Sequence, residues 1–278
     1  MPARPANWKS IAKSVPGVMA LRLHQRRLSL ALELTRPRRY LFVASHMRSY
    51  STLLGHLLCS SGEVSGYAEM RRSYRAEADL IALAMQVRAS HAGKLHGGIV
   101  LDKLLHGGHH IGDEILSMDN VDVLISVRHP RATVRSIVAL GRTIGPDNWM
   151  AQPDRAGLHF VNRMRQLSEL TDRIERPLVL AADSLIGHTD STLRGLEREL
   201  GLEKQLSAEY EVHEYTGWAE YGDTSKYIGT GRVQAQRHAY GDITISPEIE
   251  AETLGAWKQF WEHLDGDRVH IVGHRPQA

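Results

Sequence analysis

Two short stretches of this chain carry residues suited to gripping phosphate. The first is Ser45-His46-Met47-Arg48-Ser49-Tyr50-Ser51-Thr52, which follows an apolar run and leads into Leu53-Leu54-Gly55-His56-Leu57-Leu58. A strand, a polar turn with an arginine and a helix opening on Ser-Thr make an anion site, because the first N–H groups of a helix have no partner of their own. Ser51 and Thr52 add hydroxyl donors, and Arg48 adds a planar fork for phosphate oxygens. The second stretch runs Val127-Arg128-His129-Pro130-Arg131-Ala132-Thr133-Val134-Arg135-Ser136. Pro130 suits a first helical turn, where a missing N–H is harmless. That puts Arg128 at a strand end and Ser136 about two turns into the next helix, from where both could converge on one phosphate. Each stretch alone also fits an ordinary strand-to-helix corner with solvated arginines.

The elements that would position these residues are legible as short apolar runs at 40–44, 98–101, 121–127, 178–181 and 269–272. They are rich in β-branched residues and apolar throughout rather than alternating, as strands covered on both faces are. Helical segments are expected near 51–60, 74–90, 130–140, 155–173, 188–200 and 247–264, with Gly201 closing the fifth. The expected fold is therefore α/β: three layers around a parallel sheet of about five strands, with ligands at the strands' carboxyl ends. The expected organisation is a basic N-terminal helical arm at 1–38, helical near 18–34, followed by a single α/β domain at 39–278. Residues 141–157 and 215–247 read as loops, the second long enough to suspect function.

Composition removes several classes. With 34 basic and 32 acidic residues the net charge is only +2, which argues against a nucleic-acid binder acting through bulk charge. The single Cys59 excludes an internal disulfide and fits a reducing, cytoplasmic setting. No apolar run reaches the roughly 18 residues that span a bilayer, and the N-terminus lacks the apolar stretch of a signal peptide. The first polar turn is not a nucleoside-triphosphatase loop, since both the glycine pair and the lysine are absent.

Met47-Arg48-Ser49-Tyr50-Ser51-Thr52-Leu53-Leu54 resembles the Pro-Arg-Ser-Gly-Ser-Thr-Leu-Leu form of the 5′-phosphosulfate loop in sulfotransferases that use 3′-phosphoadenosine 5′-phosphosulfate (PAPS). Arg128-x-Pro130 with Ser136 six residues further matches the 3′-phosphate motif of the same family without a gap. The family's strand, Glu/Asp-x-Leu, helix and Phe-Leu-Gly-Leu segment is similar to Leu178–Leu202 here, with Glu199 in the Phe place. The resemblance implies a P-loop nucleotide-kinase-like fold and PAPS as the donor, with adenosine 3′,5′-bisphosphate as product and no metal. Arg48, Ser49, Tyr50, Ser51 and Thr52 would hold the 5′-phosphosulfate, and Arg128 and Ser136 the 3′-phosphate. Gly231 and Arg232, in a basic glycine-containing loop with Lys226, would cover that phosphate. Tyr50 stands where the family has glycine, so it either accepts a strained backbone or marks a differently shaped loop. Its ring could line an acceptor pocket.

The resemblance also implies catalytic residues: His106 just past the second strand as base, Glu69 after the first helix as a rival, and Lys103 as a donor to sulfuryl or bridging oxygens. An imidazole near pKa 6.5 can act as a base at neutral pH, although 16 histidines put one beside almost any strand end. His106, His109 and His110 invite a metal reading, but Gly107 and Gly108 interrupt the helix that would align them. The acceptor is expected to be a small molecule bearing a hydroxyl or amine, whether sugar, lipid, phenol or peptide-derived. Competing readings are a nucleotide or small-molecule kinase on the same fold, and a catalytically silent nucleotide-binding protein. The basic N-terminal helix could mediate homo-oligomer formation.

Overall fold

The computed structural model describes residues 36–90, 95, 97–213, 216–217, 227–235, 240–264 and 268–276. The arm helix expected at 18–34, together with Tyr215, Trp218, Tyr221 and Lys226, lies outside the described residues.

Six strands form one parallel sheet: β1 (Arg39–Ser45), β2 (Val64–Ser65), β3 (Ile99–Leu104), β4 (Val121–Val127), β5 (Leu178–Ala181) and β6 (His270–Val272). Their order is β2-β3-β1-β4-β5-β6, with every pairing parallel. All five expected strands are present, and β2 adds a sixth to the expected count of about five. That two-residue strand pairs only through Val64 and Ser65, too short a stretch to show as an apolar run.

The helices are α1 (Ser51–Cys59), α2 (Glu77–Ser90), α3 (Asp113–Leu116), α4 (Pro130–Ile144), α5 (Pro153–Asp172), α6 (Ser184–Gly187), α7 (Thr189–Leu200) and α8 (Pro247–His263). Three of them begin with proline at the first turn, which fixes where the chain enters. Gly201 closes α7 in the left-handed conformation (φ 59°), as its sequence predicted.

The register assigns the two faces of the sheet. Leu41, Val43, Leu101 and Leu124 share one face and pack with Leu53, Leu54 and Leu57 of α1 and with Leu193, Leu196 and Leu200 of α7. Lys103 pairs with Val43 in register and so belongs to this α1 side. Phe42 and Asp102 point the other way, where Tyr74 meets both. Helices α4, α5 and α8 pack on one another as a further helical layer. Every residue of α1 is buried, so its N-terminal end is held rigidly at the sheet's carboxyl edge. The strand order leaves β1 between β3 and β4, the switch point at which parallel sheets open a crevice. Among the described residues no helix is long and apolar enough to cross a membrane.

Candidate active site

The loop after β1 is built around backbone that glycine would normally supply. Arg48 and Tyr50 both have φ of 62°, and Tyr50 is the residue preceding α1. Of the two outcomes its sequence left open, Tyr50 thus keeps the left-handed conformation, at a steric cost of about 1–2 kcal/mol for an L-residue. No side chain caps α1, so the N–H groups of its first turn stay directed into the crevice. Beneath them, Ser45 Oγ donates to Ser126 O at 2.6 Å and contacts Ser49 Oγ, tying the loop to β4. Ser49, Ser51 and Thr52 are all buried.

The two stretches singled out by sequence meet. Arg48 Nε donates to Ser136 Oγ at 2.9 Å, and Arg128 Nη1 donates to the carbonyl of Arg48 at 3.0 Å. The Arg128 guanidinium lies on the face of the Tyr50 ring, 4.0 Å from its centroid. Burial raises the pKa of the Tyr50 hydroxyl, and Arg128 opposes that rise. Asp183, just past β5, accepts from Arg128 Nε at 3.2 Å and from the backbone N–H of His129 at 2.9 Å. An arginine has five N–H donors; two of Arg128's are engaged here, which leaves three for a ligand. Beside this cluster a cleft of about 580 Å³ is lined by His129, Arg131, Arg135, Tyr240 and Ile243. Arg135 Nε donates to Ile243 O at 3.3 Å, which fixes the cleft's outer wall.

Gly231 and Arg232 sit on a separate small ladder. Gly231 is left-handed (φ 71°), its carbonyl accepts from Tyr210 N–H at 2.8 Å, and Arg232 bridges to Glu209. Further along the long loop, Tyr240, Gly241 and Ile243 line the cleft beside His129.

On the other flank of β1, Glu69 and His106 come together, with His106 Nε2 3.7 Å from Glu69 Oε1. Gly66 lets the chain leaving β2 pass close against β3: at φ 116°, a Cβ there would fall 2.1 Å from Leu101 O. Burial lowers the pKa of His106 below the usual 6.5; Glu69 raises it in part, while Arg163 and Arg71 push it down again. Lys103 is only 1% exposed, and its Nζ has no hydrogen-bond partner among the described residues. Burial lowers its pKa, opposed by Glu69 and Asp102. Among the described residues no cluster of three or more His, Cys, Asp or Glu is placed to hold a metal ion.

Sequence reasoning passed over three residues. Arg163 of α5 donates to Ser45 O at 2.9 Å and to Leu104 O at 2.6 Å, gripping the ends of β1 and β3. His46, fully buried, spans the ends of β1 and β4. Asp183 orients Arg128. Asp183 is the acidic residue of the Glu/Asp-x-Leu signal, which gave it no role, and nothing in the sequence marked the other two.

No protein-family model matches the chain, and no curated protein matches it. Among solved structures it is similar to the sulfotransferase domain of the Synechococcus PCC 7002 olefin synthase, with 18% identity, a TM-score of 0.53, and coverage of 81% of this chain and 95% of that one. It is also similar to the sulfotransferase domain from the curacin biosynthetic pathway, with 15% identity, a TM-score of 0.53, and coverage of 81% and 98%. A six-stranded parallel sheet flanked by helices, with its crevice where β1 separates β3 from β4, gives this chain the fold of a sulfotransferase domain.

Proposed function

We propose that this protein transfers a sulfuryl group from PAPS to a hydroxyl or amine of a small acceptor. The observation that carries the reading is the meeting of Arg48, Arg128 and Ser136 at one point, on the side of β1 opposite the buried Lys103. Lys103 has the charges of Glu69 and Asp102 nearby but no hydrogen-bond partner among the described residues, so its N–H donors are available to an anionic ligand. PAPS, when bound, supplies the sulfuryl group and a bisphosphate leaving group.

The residues divide the work. Arg48, Ser49, Ser51, Thr52 and the opening N–H groups of α1 hold the 5′-phosphosulfate, and Lys103 balances its charge. Tyr50 takes part through its backbone, while its ring braces Arg128. Arg128 and Ser136 bind the 3′-phosphate, and Gly231 and Arg232 close over the nucleotide from the loop beyond Tyr227. His106, kept neutral at pH 7 by burial, takes the acceptor's proton, and Glu69 beside it stabilises the imidazolium that results. The acceptor lies on the Glu69–His106 flank. The single, buried Cys59 accords with a cytoplasmic setting.

The test is thermal unfolding with adenosine 3′,5′-bisphosphate or ADP, on wild type and on Arg128→Ala. Ligand at 100 times its dissociation constant adds about 2.7 kcal/mol, several degrees at this size. A shift with the bisphosphate that is weak with ADP and lost in Arg128→Ala is expected. An equal shift with both nucleotides would return the kinase reading to the front.

A further inference from the structure

His46 is the first residue past β1, is fully buried, and belongs to neither phosphate motif. Both ring nitrogens are committed. Nδ1–H donates to the carbonyl of Met47 at 2.9 Å, and Nε2 accepts from the backbone N–H of Arg128 at 2.9 Å. The partners fix the tautomer: a carbonyl can only accept and an amide N–H can only donate, so the ring is neutral with its proton on Nδ1. Phe160 holds the ring edge-on, with centroids 4.9 Å apart.

The bond to Arg128 reaches across 82 residues at the point where the sheet gives out. The β1–β4 pairing ends at Ser45 and Ser126, and β4 itself ends at Val127. The Arg128 N–H therefore leaves the ladder in a buried place, where an unsatisfied donor is costly. His46 accepts it. The same arginine is then braced by the Arg48 carbonyl, by Asp183 and by the Tyr50 ring. His46 is the only one of these partners that holds its backbone.

We propose that His46 is a positioning residue that fixes the Arg128 backbone, and through it the part of the site that reads the 3′-phosphate. The proposal rests on the donor reading above. His46 acts without touching the nucleotide, so its loss weakens recognition of one phosphate selectively. A residue serving only packing would weaken all ligands alike.

The experiment is calorimetric titration of the full chain with adenosine 3′,5′-bisphosphate and with adenosine 5′-monophosphate, which lacks the 3′-phosphate. Wild type is compared with His46→Gln, whose amide oxygen can replace the Nε2 acceptor, and with His46→Phe, which has none. The expected result for His46→Phe is a loss of about tenfold in bisphosphate affinity, with monophosphate affinity changed less than about twofold. His46→Gln should stay within about threefold of wild type for both. Should His46→Phe not fold, His46→Asn replaces it, since its amide reaches only as far as Nδ1 and leaves the Arg128 N–H without an acceptor. Equal losses for both nucleotides, or unchanged bisphosphate affinity in a folded Phe or Asn variant, overturn this proposal alone. Wild type that binds the bisphosphate no tighter than the monophosphate overturns the donor reading, and this proposal with it.

Discussion

Arg48 Nε donates to Ser136 Oγ over 2.9 Å, joining the loop after β1 to the second turn of α4. The two residues were drawn from motifs that would serve opposite ends of the nucleotide, yet they touch. Their contributions to bisphosphate affinity should be non-additive. Arg48→Ala should lose about 1.5–3 kcal/mol and Ser136→Ala about 1 kcal/mol. The double variant should lose less than the sum by at least about 0.5 kcal/mol. A calorimetric double-mutant cycle that closes additively would show the contact to be incidental.

Tyr50 invites an inverted stability series. At φ 62° glycine is at ease and alanine is not, so the usual advantage of alanine over glycine reverses. Both variants lose the ring stacked on Arg128. Tyr50→Gly should then be more stable than Tyr50→Ala by about 1 kcal/mol in urea unfolding. The opposite order would mean that the left-handed turn does not persist in solution.

Lys103 sets stability against function. Replacing a buried ammonium that makes no hydrogen bond among the described residues with an apolar side chain of similar length removes a desolvation cost. Lys103→Met should raise the melting temperature of the ligand-free protein by several degrees and weaken bisphosphate binding at least tenfold. A variant that melts lower and binds normally would contradict the anion role.

Two buried groups titrate in opposite senses. Burial drives His46 from 6.5 down to about 3, so below pH 6.5 the unfolded chain binds a proton that the native state refuses. Its contribution is complete above pH 6.5 and is lost as pH falls toward 3. Asp102, pushed up from 3.8 to about 6 by burial, works the other way: the native state binds the extra proton, so stability is gained as pH falls from 6 to 3.8. Comparison with His46→Gln isolates the histidine. Between pH 6.5 and 4, wild type should lose about 1.4 kcal/mol per pH unit relative to that variant in urea unfolding. Parallel curves would place the His46 ring in contact with water.

The base is checked by rate. With any acceptor that is turned over, His106→Ala should lower bisphosphate release by about 10²–10⁴-fold, and Glu69→Gln by less. The acid limb of the wild-type profile should fall below pH 6.5, because burial lowers the His106 pKa. A larger loss from Glu69→Gln than from His106→Ala would make the carboxylate the base.

The sheet was readable because buried parallel strands are apolar on both faces, as 121–127 is almost throughout. β2 was not readable, since two residues carry no period. Gly141 suggested a loop, whereas α4 runs on to Ile144. The glycine is there for contact: a Cβ would lie 2.2 Å from Ala151 N, so the helix needs a smooth face at that point. In the site, Arg48, Arg128 and Ser136 could be read because each acts near its own motif. His46 and Arg163 could not, because their partners are backbone groups brought close only by folding. For Arg163 and Ser45 the separation is 118 residues.

Arg163 has a wider consequence. One guanidinium holds the last carbonyl of β1, where the nucleotide loop begins, and the last carbonyl of β3, from which the chain runs on to His106. On the proposed assignment the donor and acceptor halves of the crevice would share a hinge pin, a shift imposed on one carbonyl being felt at the other. Thermodynamic linkage then makes the effect mutual: whatever a filled donor half does to acceptor affinity, a filled acceptor half does to donor affinity by the same factor.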